Sequence, residues 1–192
     1  MSYMGFVGKN KVFSIEYCKT NKHRFFLRLV VNQNPQNRVV VVMKNPSATC
    51  INCPNGHNLI VRFSDKAKCK IDRTTGKVLR KLQQSYDEII ILNLYSLYDK
   101  NPQGINSYYG KIKRTGYHLN NACLRMVLDS YSGEIICAWG QPNGINIKQY
   151  NSQINFINSL FHRNHKLLEY DPGHRNFTIK QSNYPPHGLT WI

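Results

Sequence analysis

Acidic residues are scarce in this chain. Ten Asp and Glu stand against 26 Lys and Arg in 192 residues, a formal net charge of +16. A surface shaped only for solubility mixes both signs, so this imbalance argues for a polyanionic partner, because Lys and Arg that neutralise phosphates release condensed counterions. The basic residues are spread along the chain rather than gathered in a tail, which fits a folded basic surface and not a disordered arm. Long apolar runs are also missing. No stretch of about 18 apolar residues occurs, so no transmembrane helix is expected. A membrane surface would need a basic amphipathic helix, and none is evident. The first residues, MSYMGFVGKNKVFSIEYCK, lack a basic run followed by an apolar one, so secretion is not expected and a cytoplasmic location is. There is no internal repeat and no low-complexity segment.

What is present suits one globular domain over residues 1–192. The hydrophobic fraction of 41% is enough for a core and excludes disorder of the whole chain. The expectation at this level is a monomer whose partner is a nucleic acid, single- or double-stranded.

Six cysteines occur, at 18, 50, 53, 69, 123 and 137. Without a secretory context they are expected to be reduced. Cys123 and Cys137 sit in apolar runs and read as core residues. Cys50 and Cys53, with His57 and Cys69 close behind, form a set of soft ligands of the kind zinc binds tetrahedrally. The second half of the set lacks a paired spacing, so free thiols in a loop are the simpler reading and zinc is the lesser one. No cofactor is expected.

Residues 11–17 and 24–31 read as two strands joined by a polar turn, an N-terminal β-hairpin. Arg38–Met43 (RVVVVM), Glu88–Leu94 (EIIILNL) and Glu134–Trp139 (EIICAW) are near-continuous apolar runs of the kind buried on both faces, and Lys166–Glu169 starts a fourth strand. Helices are expected over Thr74–Gln84, Leu119–Asp129 and Ile147–Phe161. Residues 47–70 and the tail read as loops. Strands alternating with helices imply a three-layer α/β fold with a central, mostly parallel four-stranded sheet flanked by helices, plus the hairpin.

In such sheets ligands gather at the carboxyl ends of the strands. Asn45-Pro46-Ser47 follows the first buried strand. Asn93 closes the second after four aliphatic residues, and its amide offers both donor and acceptor. Trp139-Gly140 closes the third. His187 lies in Tyr184-Pro185-Pro186-His187-Gly188-Leu189, a rigid Pro-rich loop. Taken singly, these read more simply as a turn, a core tryptophan and an exposed histidine; for Asn93 a structural and a ligand-facing role are evenly matched.

Their order along the chain is more specific. VMKNPS (42–47), IILN (90–93), CAWG (137–140) and HGLT (187–190) resemble the ordered motifs of the uracil-DNA glycosylase superfamily. The chain also resembles an uncharacterised bacterial and phage family with an LNPS loop, a DxT segment, NL and AWG strand ends and a closing PxHPL loop. Met43–Ser47, Asp72–Thr74, Asn93-Leu94, Ala138–Gly140 and Pro185–Leu189 carry that second likeness, which covers about residues 24–192.

The glycosylase resemblance implies a glycosylase-like fold and hydrolysis of an N-glycosidic bond. Asn45 would orient the attacking water and His187 would stabilise the departing base. Asn93 would read the base edge, helped by Ser47, with Phe63 or Tyr95 as the stacking ring. Lys44, Arg62, Lys66, Lys68, Lys100, Lys111, Lys113 and Arg114 are expected to rim the strand ends and hold DNA, with Leu189 or Trp191 as the wedge that fills the vacated stack. The first loop carries no carboxylate, and Asp72 and Asp99 are the acids near the motifs that could replace the missing base. The alternative on the same fold is a weak or inactive nucleic-acid-binding protein, serving a phage or mobile element.

Overall fold

The computed structural model describes residues 6–7, 10–11, 14–20, 22–32, 34–46, 55–62, 71–98, 104–107 and 115–191. In chain order the elements are β1 (Phe6–Val7), β2 (Asn10–Lys11), β3 (Ser14–Lys19), β4 (Arg24–Val30), β5 (Arg38–Met43), β6 (Gly56–Arg62), α1 (Arg73–Leu82), β7 (Glu88–Asn93), a helical turn α2 (104–107), α3 (Thr115–Asp129), β8 (Gly133–Ala138), α4 (Ile147–Ser159), β9 (His165–Asp171), β10 (Asn176–Ile179) and a 3-10 turn over Gly188–Thr190. No helix among the described residues is long and apolar enough to cross a membrane.

The four apolar runs form the parallel centre of the sheet. β5 lies between β7 and β8, β9 lies beyond β8, and all four point the same way. Their side chains are divided between two cores by strand alternation. Val39, Val41 and Met43 pack on one face with Val78, Leu79 and Leu82 of α1 and with Trp191. Val40 and Val42 pack on the other with Leu124 and Leu128 of α3 and Tyr150, Ile154 and Ile157 of α4. These spacings of three and four residues are the inward stripe of a helix, and they give the expected three layers.

Asp72 caps α1 by accepting the Thr75 N–H at 2.9 Å, and Asn146 caps α4 by accepting that of Gln149 at 3.2 Å.

The sheet is wider than the sequence suggests. It has eight strands in the order β10-β9-β8-β5-β7-β4-β3-β6 and is mixed. The hairpin strands β3 and β4 are not an appendage: β4 pairs antiparallel with β7 and extends the central sheet. β6 and β10 are strands where loops were expected. Both are edge strands, and β10 is mostly exposed, so β10 does not need the apolar alternation that marks a half-buried strand.

The amino ends of the parallel strands are held by charge. Buried Glu88 takes Arg28 at 2.9 Å and Arg38 at 2.7 Å, and Arg28 also reaches Glu16 at 2.8 Å. The Asp87 carboxylate accepts the backbone N–H groups of Gln36 and Asn37. Glu134 binds Lys166 at 2.6 Å and also accepts the Tyr86 hydroxyl.

Candidate functional site

The carboxyl ends of β5, β7 and β8 meet at one end of the sheet. From β5 the chain leaves to one side for β7, then returns past β5 to β8 and moves outward to β9. That reversal at β5 and β8 is the point where an open α/β sheet forms a crevice. Lys44 and Asn45 leave β5 there, and Trp139 and Gly140 leave β8.

The last described segment is docked onto this end. The Gly140 N–H donates to Pro185 O at 2.8 Å, and the Trp139 indole N–H donates to Asn183 O at 3.0 Å. Gly140 has φ +67°, and a Cβ added to it would lie 3.1 Å from the His187 Cβ. A Cβ on Gly188 would lie 3.0 Å from Val78 of α1 and 3.4 Å from Met43 of β5. The two glycines therefore let the loop approach closely enough to seat His187 over the strand ends. The His187 Nδ1 accepts the Leu189 N–H at 3.1 Å. Burial, reinforced by the nearby Lys44 charge, lowers its pKa to about 4. A neutral imidazole whose Nδ1 accepts carries its proton on Nε2, so the remaining ring nitrogen is a donor.

Asn93 is the last residue of β7, opposite Met43 in the parallel register. Its exposure is 0%, and neither its Nδ2 nor its Oδ1 has a hydrogen-bond partner. By strand alternation it shares the face of Ile89 and Ile91, the face on which α1 and Gly188 pack.

The backbone at this end of β7, in contrast, is held from several sides. The Leu94 N–H donates to Met43 O at 2.8 Å, and the Asn120 amide of α3 donates to Asn93 O at 3.2 Å and Leu94 O at 3.0 Å. The Gln153 amide of α4 donates to Leu94 O at 2.9 Å. Two helices thus fix the end of β7 while the Asn93 side chain keeps its hydrogen-bonding capacity unused.

Lys44 is 9% exposed. Its ammonium donates to Gln141 O and sits 5.8 Å from the centre of the Tyr150 ring. Burial pushes its pKa down. It lies at the expected end of the sheet, but as a buried residue rather than an open phosphate contact. Tyr150 is buried in turn, and its hydroxyl donates to the carbonyls of Trp139 and Gly140, at 3.0 and 2.8 Å. Asn45 is half-buried beside Pro46.

Several expected residues have other roles. Tyr95 is fully buried, stacked on Tyr150 with ring centres 6.3 Å apart, so its ring belongs to the core and does not offer a free face to a base. Trp191 is 2% exposed and packs edge-on against Phe177 at 5.1 Å, so it is a core residue and not a wedge. Leu189, at 39% exposure, remains at the surface. Asp72 is taken up in capping α1.

Arg62 ends β6 opposite Ser14, which pairs with Val30 and through it with Glu88. That register puts it at the amino end of the parallel strands, away from the site. Ser47, Cys50, Cys53, Phe63, Lys66, Lys68, Cys69, Asp99, Lys100, Lys111, Lys113 and Arg114 lie outside the described residues, as does the His57 side chain. Among the described residues no group of three His, Cys, Asp or Glu is placed to hold a metal.

Asn120, Tyr150 and Gln153 were not anticipated from sequence. Asn120 and Gln153 carried a signal: each is an amide on the inward stripe of its helix, Asn120 in step with Leu124 and Leu128, Gln153 beside Ile154 and Ile157.

No curated protein and no solved structure matches the chain. The family model described as a protein of unknown function (DUF1643) matches residues 59–189. The match takes in α1, β7, α3, β8, α4 and the segment carrying His187, and begins after Lys44 and Asn45. On that match the chain belongs to the DUF1643 family.

Proposed function

We propose that this protein binds DNA and excises uracil, or a closely related pyrimidine, by hydrolysis of the N-glycosidic bond. The observation that carries the reading is Asn93, a fully buried amide with both polar atoms unpartnered at the carboxyl end of a central parallel strand. A buried polar pair left unsatisfied is destabilising. It is accounted for if the amide is kept for a ligand with an acceptor and a donor side by side, the pattern on the Watson–Crick edge of uracil.

The neutral His187 supports the same reading. Its Nε2–H is a donor suited to a base oxygen as charge builds there, the logic of a preorganised hydrogen bond. Asn45 would orient the water, and an amide in that place orients without taking the proton. The net charge of +16 supplies the affinity for the phosphate backbone.

The test is incubation with a single-stranded oligonucleotide containing uracil, followed by alkali. Strand cleavage above that given by an Asn93→Ala, His187→Ala double variant is expected. Equal cleavage by the two proteins overturns the reading. One observation favours the weaker alternative of binding without excision: Asp72, an acid expected to be able to replace the missing base, is engaged as a helix cap. That alternative predicts DNA affinity that falls steeply with salt and no abasic product.

A further inference from the structure

We infer that Lys44 is the resident counter-charge at the carboxyl ends of β5 and β8, held there to receive an anion: the departing pyrimidine base. The inference rests on the glycosylase reading for the identity of the anion, but its physical basis is separate.

A buried ammonium is costly to desolvate and is ordinarily paired with a carboxylate. The ion pairs of the described residues join Arg28, Arg38, Lys166 and His174 to acids, and none includes Lys44. Its contacts are the Gln141 carbonyl and the face of the Tyr150 ring, both uncharged. The titratable group that senses its charge is His187, which it helps to keep neutral. Lys44 and His187 thus place a cation and a neutral N–H donor near one another at the strand ends, with no carboxylate paired to the cation, while Asn93 ends the neighbouring strand with its amide on the α1 face.

This composition suits a planar ligand that is neutral on entry and anionic on release. In the hydrolysis the C1′–N1 bond breaks and its electron pair stays on the base, which leaves as a monoanion. The water oxygen bonds to C1′ and gives its proton to solvent, and the base is reprotonated after release. The charge of Lys44 interacts most strongly once the electron pair has moved, so it favours the transition state over bound substrate.

The test separates charge recognition from catalysis. Free uracil, neutral in mildly alkaline buffer, and 5-nitrouracil, an anion under the same conditions, are titrated by calorimetry into the wild-type protein, Lys44→Met and Lys44→Arg. Wild type is expected to prefer the anion by about tenfold or more, the advantage of a charge-assisted over a neutral hydrogen bond. Lys44→Met should lose that preference, and Lys44→Arg should keep most of it. Met nearly matches the volume of Lys, and thermal unfolding of each variant checks the fold. An unchanged preference in folded Lys44→Met overturns the inference, as does failure of folded wild type to bind either base. A wild type that prefers the anion yet releases no uracil from DNA rejects the excision reading and leaves the Lys44 assignment standing.

Discussion

Replacing Asn93 by leucine tests whether its amide serves the fold or a ligand. In the structure the Asn93 side chain is fully buried and makes no hydrogen bond. Each buried unsatisfied polar atom is destabilising by about 1–3 kcal/mol. Leucine removes both atoms at similar volume, and its apolar surface joins the face of Ile89 and Ile91. Taking the low end for each atom, Asn93→Leu stabilises the protein by about 2 kcal/mol, which for a domain of this size raises Tm by about 4–8 °C.

Asn120 gives an internal control. It is also a buried asparagine with an unpartnered Oδ1, but its Nδ2 donates to two carbonyls at 3.2 and 3.0 Å. Asn120→Leu breaks those bonds and is expected to destabilise by about 1 kcal/mol. Urea unfolding of the two variants, monitored by circular dichroism, measures both signs. Base binding should vanish in Asn93→Leu despite its higher Tm. A fall in stability on Asn93→Leu, comparable to that of Asn120→Leu, would refute the reasoning, because it would mean that the Asn93 amide already supports the fold.

Three further outcomes are expected. Gly140→Ala introduces a Cβ at φ +67° and 3.1 Å from the His187 Cβ, so it should destabilise by about 1–2 kcal/mol and weaken base binding, measured by denaturation and calorimetry. Because the folded pKa of His187, about 4, lies below its usual 6.5, the unfolded chain protonates first as pH falls. The stability from this group is complete above pH 6.5 and is lost toward about pH 4. Burial lowers the pKa of His23 and His165 as well, so the measurement is the difference in slope between wild type and His187→Gln across that window. Glu88→Gln weakens the pairs with Arg28 and Arg38, which are partly exposed, and should reduce stability by about 1–2 kcal/mol while base affinity, at the other end of the sheet, stays unchanged.

The parallel centre was legible because RVVVVM, EIIILN and EIICA have too many consecutive apolar residues for a one-sided strand, and the structure buries them on both faces. The helices were legible from their inward stripes. β6 and β10 were not, since an edge strand is specified by its neighbour's unpaired backbone rather than by its own side chains.

At the site, Asn93 stood out as an amide ending an aliphatic run. Lys44 did not: a lysine after a strand reads as solvated, and its burial depends on Tyr150 and Gln141, about a hundred residues away in sequence. Trp191 was misjudged for the same reason. Its partners Tyr170 and Phe177 lie on β9 and β10, and no local pattern announces that packing. Arg62 was placed on the wrong end because the direction of β6 is fixed by its register with β3.

The assembly of the site from Lys44, Asn93, Trp139–Gly140 and His187 has a consequence for folding. These positions are far apart in the chain and meet through contacts of long sequence separation, which form late because loop closure must precede them. A partly folded molecule with the sheet incomplete therefore lacks this site. Any small molecule that binds there binds the native state alone and raises the midpoint of global unfolding by mass action. Thermal-shift measurements across a panel of nucleobases, nucleosides and short oligonucleotides can thus rank ligands for this chain before any turnover is observed.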